Sequence, residues 1–173
     1  LAYTGAIKAP TDMELRDNIY ICFAPICHCM VHPLEDNCFP DTIGDVTNID
    51  GWRQLTDNIH YWWYGCNYYM TLFYQPQINW IYQNVKYLAS MGIKGSFYEN
   101  EEHTFGFIDL TSYIHSELVW NPDMTYEEYI EMTKQFCIDY YDSEAVFDLL
   151  MLCEDVKSDD CQRCVSYSSD GIK

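Results

Sequence analysis

Positive charge is what this sequence has least of. Nine Lys and Arg residues stand against 27 Asp and Glu, for a formal net charge of −18. The imbalance is uneven: nine acidic and five basic residues precede Glu99, whereas eighteen acidic and four basic residues follow from it, so most of the negative charge sits in the second part. Such a surface repels phosphate backbones and excludes nucleic acid as a partner. No apolar run approaches the ~18 residues of a membrane span, so no membrane-spanning segment is expected. The first residues, Leu1 to Ala6, lack the basic start and apolar stretch of a signal peptide. A Gly-rich phosphate-binding fingerprint is also missing, which argues against a nucleotide fold, and no cofactor is expected.

Apolar and aromatic residues are abundant, 49% and 17% of the 173 residues, which excludes a disordered chain. The nine cysteines are an odd number in a chain too long for a disulfide miniprotein. Cys161-Gln162-Arg163-Cys164 has the spacing of half a zinc site, and Cys27-His28-Cys29 adds thiols, but no second CxxC or HxxxH completes four ligands. The expectation is therefore ordinary thiols and no metal, with a structural module built on Cys27, Cys29, Cys161 and Cys164 as a rival.

Three short β-branched and aromatic runs read as buried strands: Ile19–Pro25, Ile59–Tyr64 and Gly95–Tyr98. A polar connection with Pro33, Pro40 and Gly44 follows the first, then a helix near Thr47–Leu55. After Pro76, the apolar positions Ile78, Ile81, Val85 and Leu88 recur at helical spacing until Gly92 stops them. Asn84 and Lys86 on this helix read as ordinary exposed residues. Beyond Gly106 only helices follow. One carries Phe107, Leu110, Ile114 and Leu118. The next opens with a capping box from Thr125 to Glu128 and carries Tyr126, Ile130, Thr133, Cys137 and Tyr140. The last carries Val146, Leu149, Leu150 and Cys153 inward.

Strands alternating with helices predict an α/β fold with parallel strands joined by crossovers. Three strands are too few for a doubly wound domain, and a complete (β/α)8 barrel takes about 250 residues. The expectation is the C-terminal half of a (β/α)8 TIM-type barrel over 1–105, helices packing on it over 106–157, and a polar tail over 158–173. The missing half is expected to be an N-terminal part of the same polypeptide.

In a parallel barrel the active site gathers at the C-terminal ends of the strands. Glycosidic cleavage needs a carboxylic acid and a second carboxylate, and Glu99 directly follows the third strand, with Glu101 and Glu102 beside it as solvated loop acids. Sugar rings pack their C–H faces on flat aromatic surfaces and need amide or phenol partners for their hydroxyls. The block Trp62, Trp63, Tyr64, Asn67, Tyr68 and Tyr69 offers both. Alternation sends Trp62 and Tyr64 to one face and Ile59, Tyr61 and Trp63 to the other. Glu99 is the acid or base candidate, and Trp62, Tyr64, Asn67, Tyr68 and His32 are the substrate-binding candidates. A glycan-recognition domain without a working carboxylate pair uses the same aromatics.

Cys22-Phe23-Ala24-Pro25 running to His32-Pro33-Leu34-Glu35-Asp36, then Trp62-Trp63-Tyr64 with Asn67, resembles the family called domain of unknown function 4838. Asn84-Val85-Lys86-Tyr87, Gly92-Ile93-Lys94-Gly95, Leu118-Val119-Trp120-Asn121-Pro122-Asp123 and Tyr140-Tyr141 extend the resemblance from Ala2 to about Val156. It implies a bacterial, carbohydrate-associated, glycoside-hydrolase-like barrel acting on a poly- or oligosaccharide, in an extracytoplasmic or secreted setting. The family's Glu-Gln-Gly after the last strand is matched here only by Glu99, followed by Asn100-Glu101. Its Trp-Asp-Tyr is Trp62-Trp63-Tyr64, so a possible second carboxylate is absent there.

Overall fold

The computed structural model describes residues 1–66, 68, 74–99 and 106–156. Four strands form one sheet in sequential order: β1 (Ala2–Tyr3), β2 (Ile21–Ala24), β3 (Ile59–Tyr64) and β4 (Gly95–Glu99). All neighbours are parallel, with Ile21 opposite Ile59, Tyr61 opposite Ser96 and Tyr64 opposite Glu99. The expected α/β class and the three expected strands are therefore present. Ile19 and Tyr20 lie outside β2 and are exposed. Strand β1 was not expected, because two residues are too few to display a period.

Helix α1 (Asn48–Arg53) lies between β2 and β3, and α2 (Ile78–Ser90) lies between β3 and β4. Gly92 ends α2 in the left-handed region (φ 79°), a conformation that costs glycine little. Three helices follow: α3 (Ile108–Trp120), α4 (Tyr126–Tyr141) and α5 (Glu144–Val156). Thr125 opens α4 with the expected capping box, its hydroxyl accepting from the Glu128 N–H while the Glu128 carboxylate accepts from the Thr125 N–H.

Strand alternation divides the sheet into unlike faces. Ile21, Phe23, Ile59, Tyr61 and Trp63 join one core with Trp80 and Ile81 of α2, Leu110, Ile114 and Leu118 of α3, Tyr129 of α4 and Leu150 of α5. Full burial of each large apolar side chain there contributes about 1.5–3 kcal/mol. Trp63 is the hub, packed at 4.8 Å from Trp80, 5.2 Å from His115 and 5.7 Å from Tyr61. The opposite face carries Trp62 and Phe97, their tilted rings 4.2 Å apart, and there Phe97 is 49% exposed.

Several helix residues differ from expectation. Asn84 is fully buried, and its Oδ1 accepts the Leu34 N–H at 2.7 Å. The Lys86 ammonium donates to the carbonyls of Pro122 and Met124, satisfying the chain where α3 ends and α4 begins. Neither is a plain surface residue, because each serves backbone groups that the helix itself cannot satisfy. Helix α4 buries Tyr129, Thr133 and Cys137, whereas Tyr126 and Tyr140 are exposed. On α5, Leu150 is buried but Leu149 points outward.

Candidate functional site at the open face of the sheet

Glu99 is the last residue of β4 and lies opposite Tyr64. Beyond the last paired residues the ladder continues by one bond, the Gly65 N–H donating to the Glu99 carbonyl at 3.1 Å. The two strand ends are thereby held in register, and alternation brings Trp62, Tyr64, Phe97 and Glu99 to the face that the helices leave open.

The Glu99 carboxylate is fixed at both oxygens. Trp62 Nε1–H donates to Oε2 at 2.5 Å, and the Tyr68 hydroxyl donates to Oε1 at 2.6 Å. Burial and the bond to Glu99 both push the Tyr68 phenol far above its ordinary pKa, so it stays protonated and stays a donor. Both partners are donors, so the carboxylate is presented as an acceptor in a defined orientation.

Around it lies a concave space of about 410 Å³, lined by Glu99, Trp62, Tyr64 and Tyr68 with Tyr3 and Ile26 in its walls. That volume is in the range of small-molecule pockets. Tyr64 and Ile26 belong to a second small core with Ala24, Cys27 and Met30, so the wall is anchored to the loop after β2.

The structure thus brings together Glu99, Trp62, Tyr64 and Tyr68. It does not bring His32 to them. His32 Nδ1 instead faces Cys38 Sγ at 3.4 Å and Cys29 Sγ at 3.5 Å, because its own turn curls back on Cys29. Asn67 lies outside the described residues, as do Glu101, Glu102, Cys161 and Cys164. Cys29 associates with His32 and Cys38, the three ligand atoms lying within 4.8 Å of one another. They are the residues that could hold a metal ion among those described.

Two buried histidines are structural. Burial lowers His28 to about 4 and His115 to about 3, so both are neutral in the fold. His28 Nδ1 is 3.1 Å from the Pro25 carbonyl, and its ring stacks on Trp80. His115 Nε2 is 3.1 Å from Ser96 Oγ.

Sequence reasoning missed Tyr3 and Ile26, which reach the site only through tertiary packing. It also missed Cys38, although the spacing Cys29-x2-His32-x5-Cys38 was a usable signal. No curated protein and no solved structure gives a significant match to this chain. The family described as "Domain of unknown function (DUF4838)" matches residues 1–147, which is most of the chain's length. The chain belongs to the DUF4838 family.

Proposed function

We propose that this chain is part of a glycoside-hydrolase-like (β/α)8 barrel, with Glu99 as its base or nucleophile and Trp62, Tyr64 and Tyr68 forming the sugar platform. Two features support the barrel. The parallel strands run in the order β1-β2-β3-β4 with no reversal, unlike the switch point of a doubly wound sheet. The aromatic-rich face with half-exposed Phe97 would become the barrel interior once further strands extend the β1 and β4 edges.

The observation that carries the functional reading is the Glu99 carboxylate, held by Trp62 and Tyr68 inside a cavity at the C-terminal end of the sheet. A carboxylate oriented by two donors suits attack on, or deprotonation near, an anomeric centre. The flat Trp62 ring suits the apolar face of a sugar.

A second reading, non-catalytic glycan recognition, is favoured by one specific observation. Glu99 supplies the only carboxylate among the described lining residues, and both its oxygens are already engaged.

Hydrolysis and binding of a panel of oligosaccharides by the protein carrying this chain separate the two. For an enzyme, Glu99→Gln abolishes turnover and retains binding, while Trp62→Ala loses binding by tenfold or more. Binding without hydrolysis by the unaltered protein, weakened by both changes, selects the recognition domain. Unchanged binding in Trp62→Ala removes the sugar site from this face altogether.

A further inference from the structure

We propose that Cys29 Sγ, His32 Nδ1 and Cys38 Sγ bind one zinc-class divalent ion that clips the loop between β2 and α1. The two sulfurs converge on the same imidazole nitrogen, at 3.5 Å from Cys29 and 3.4 Å from Cys38. In a tetrahedral zinc site, Zn–S bonds of about 2.3 Å and Zn–N bonds of about 2.0–2.1 Å put sulfur and nitrogen roughly 3.5 Å apart. The observed spacings are those of two edges of such a tetrahedron. A ring nitrogen has one in-plane direction for a proton or a lone pair, so it serves one sulfur well by hydrogen bonding. A cation among the three atoms satisfies both thiolates and the nitrogen together.

The surrounding backbone fixes the ligand atoms. The His32 N–H donates to Cys29 Sγ at 3.4 Å, which holds that sulfur beside the imidazole. The Trp80 indole N–H lies 3.1 Å from the carbonyls of both Cys29 and His32, so α2 holds the Cys29–His32 turn from beneath. The loop has a reason to need a clip. Between β2 and α1 its only regular structure is the 3-10 turn Leu34–Asp36, and structureless connections of this length are uncommon. Asn84 ties Leu34 down, and the Asp45 carboxylate gathers Asn37, Asp41 and Thr47. Cys38 lies between these two anchorages, and the ion joins it to the first.

Ligand chemistry selects the ion. Two thiolates and an imidazole suit zinc and disfavour magnesium and calcium, which take oxygen ligands. Cys29 is buried whereas His32 and Cys38 are half-buried, so a water molecule completes four-coordination from the exposed side. The thiols release their protons on binding. No electron transfer is involved.

The test uses the reduced, metal-free protein. Zinc titrated against a chromophoric chelator should bind one equivalent, at least tenfold more weakly after Cys38→Ser or His32→Ala. Cobalt in its place should give a thiolate-to-metal charge-transfer band that falls by about half in Cys29→Ser or Cys38→Ser. Alkylation of the unaltered chain covers the case in which a variant does not fold. Zinc should protect Cys29 and Cys38 and leave the rates at Cys22 and Cys153 unchanged. Protection confined to other cysteines, a charge-transfer band indifferent to Cys38→Ser, or a Cys29–Cys38 disulfide in place of bound metal would overturn the proposal.

Discussion

Removing the carboxylate of Glu154 should loosen α2 from its first turn. Glu154 belongs to α5 but is only 4% exposed, and its oxygens accept the backbone N–H groups of Ile78 at 2.7 Å and Asn79 at 3.4 Å. The N-cap residue Gln77 supplies no side-chain cap of its own, so the orphan donors of α2 are met by an acidic residue far along the chain. An N-cap is worth about 0.5–2 kcal/mol, and each buried N–H left bare costs about 1–3 kcal/mol. The negative charge at a helix N-terminus adds about 0.3–1 kcal/mol. These contributions overlap, and Glu154→Ala should cost about 3 kcal/mol. Glu154→Gln keeps one acceptor oxygen and loses the charge, for about 1 kcal/mol. Amide hydrogen exchange reads the effect at the site itself. A 3 kcal/mol loss corresponds to roughly hundredfold faster opening, so the Ile78 and Asn79 amides should exchange that much faster in Glu154→Ala and only modestly faster in Glu154→Gln. Unchanged exchange at both amides in Glu154→Ala, or equal damage from the two substitutions, would refute the capping role.

Acid should destabilise the fold through its two buried histidines. Their folded pKa values, about 4 for His28 and about 3 for His115, lie below the ordinary 6.5, so the unfolded chain takes up protons first as pH falls. Stability from each is complete at higher pH and is lost from about pH 6.5 downward, by about 2 kcal/mol each between roughly pH 7 and pH 5. In urea denaturation at the two pH values, His115→Gln should remove its share of the slope; an unaltered slope would show that His115 is not held neutral. Lys86→Met keeps the aliphatic stem and deletes the donors to Pro122 and Met124, for a loss of about 1–3 kcal/mol in the same assay. A neutral outcome would mean that water replaces the ammonium.

The parts of the fold legible in the sequence were those written in local pattern. Ile59–Tyr64 and Gly95–Tyr98 declared themselves by composition, the latter one residue short of β4, and α2 by its apolar period between Pro76 and Gly92. Strand alternation separated Trp62 and Tyr64 from Tyr61 and Trp63, because a period of two fixes the face without knowledge of partners. Glu99 was found by its position after a strand. What escaped was set by distant partners. Asn84 reads as exposed until Leu34, fifty residues away, supplies the N–H that justifies its burial. Glu154 reads as one more acid on a negative helix until the start of α2 is seen beside it. The inward face of α4 was misread because tyrosines recur on several sides of the helix, so Tyr126 and Tyr140 looked as apolar as Tyr129. His32 was grouped with the aromatic block through its place after a strand, whereas its own turn directs it to Cys29 and Cys38.

A crystal structure of the Glu99→Gln protein with its best oligosaccharide decides whether the open face beside Glu99 receives a sugar, as proposed. A sugar ring should stack on Trp62, with a hydroxyl or the glycosidic oxygen within hydrogen-bond reach of residue 99 and of the Tyr68 hydroxyl. Sugar bound on the helix-covered side, or a cavity beside Trp62 and Tyr68 left without sugar at saturating ligand, would contradict it.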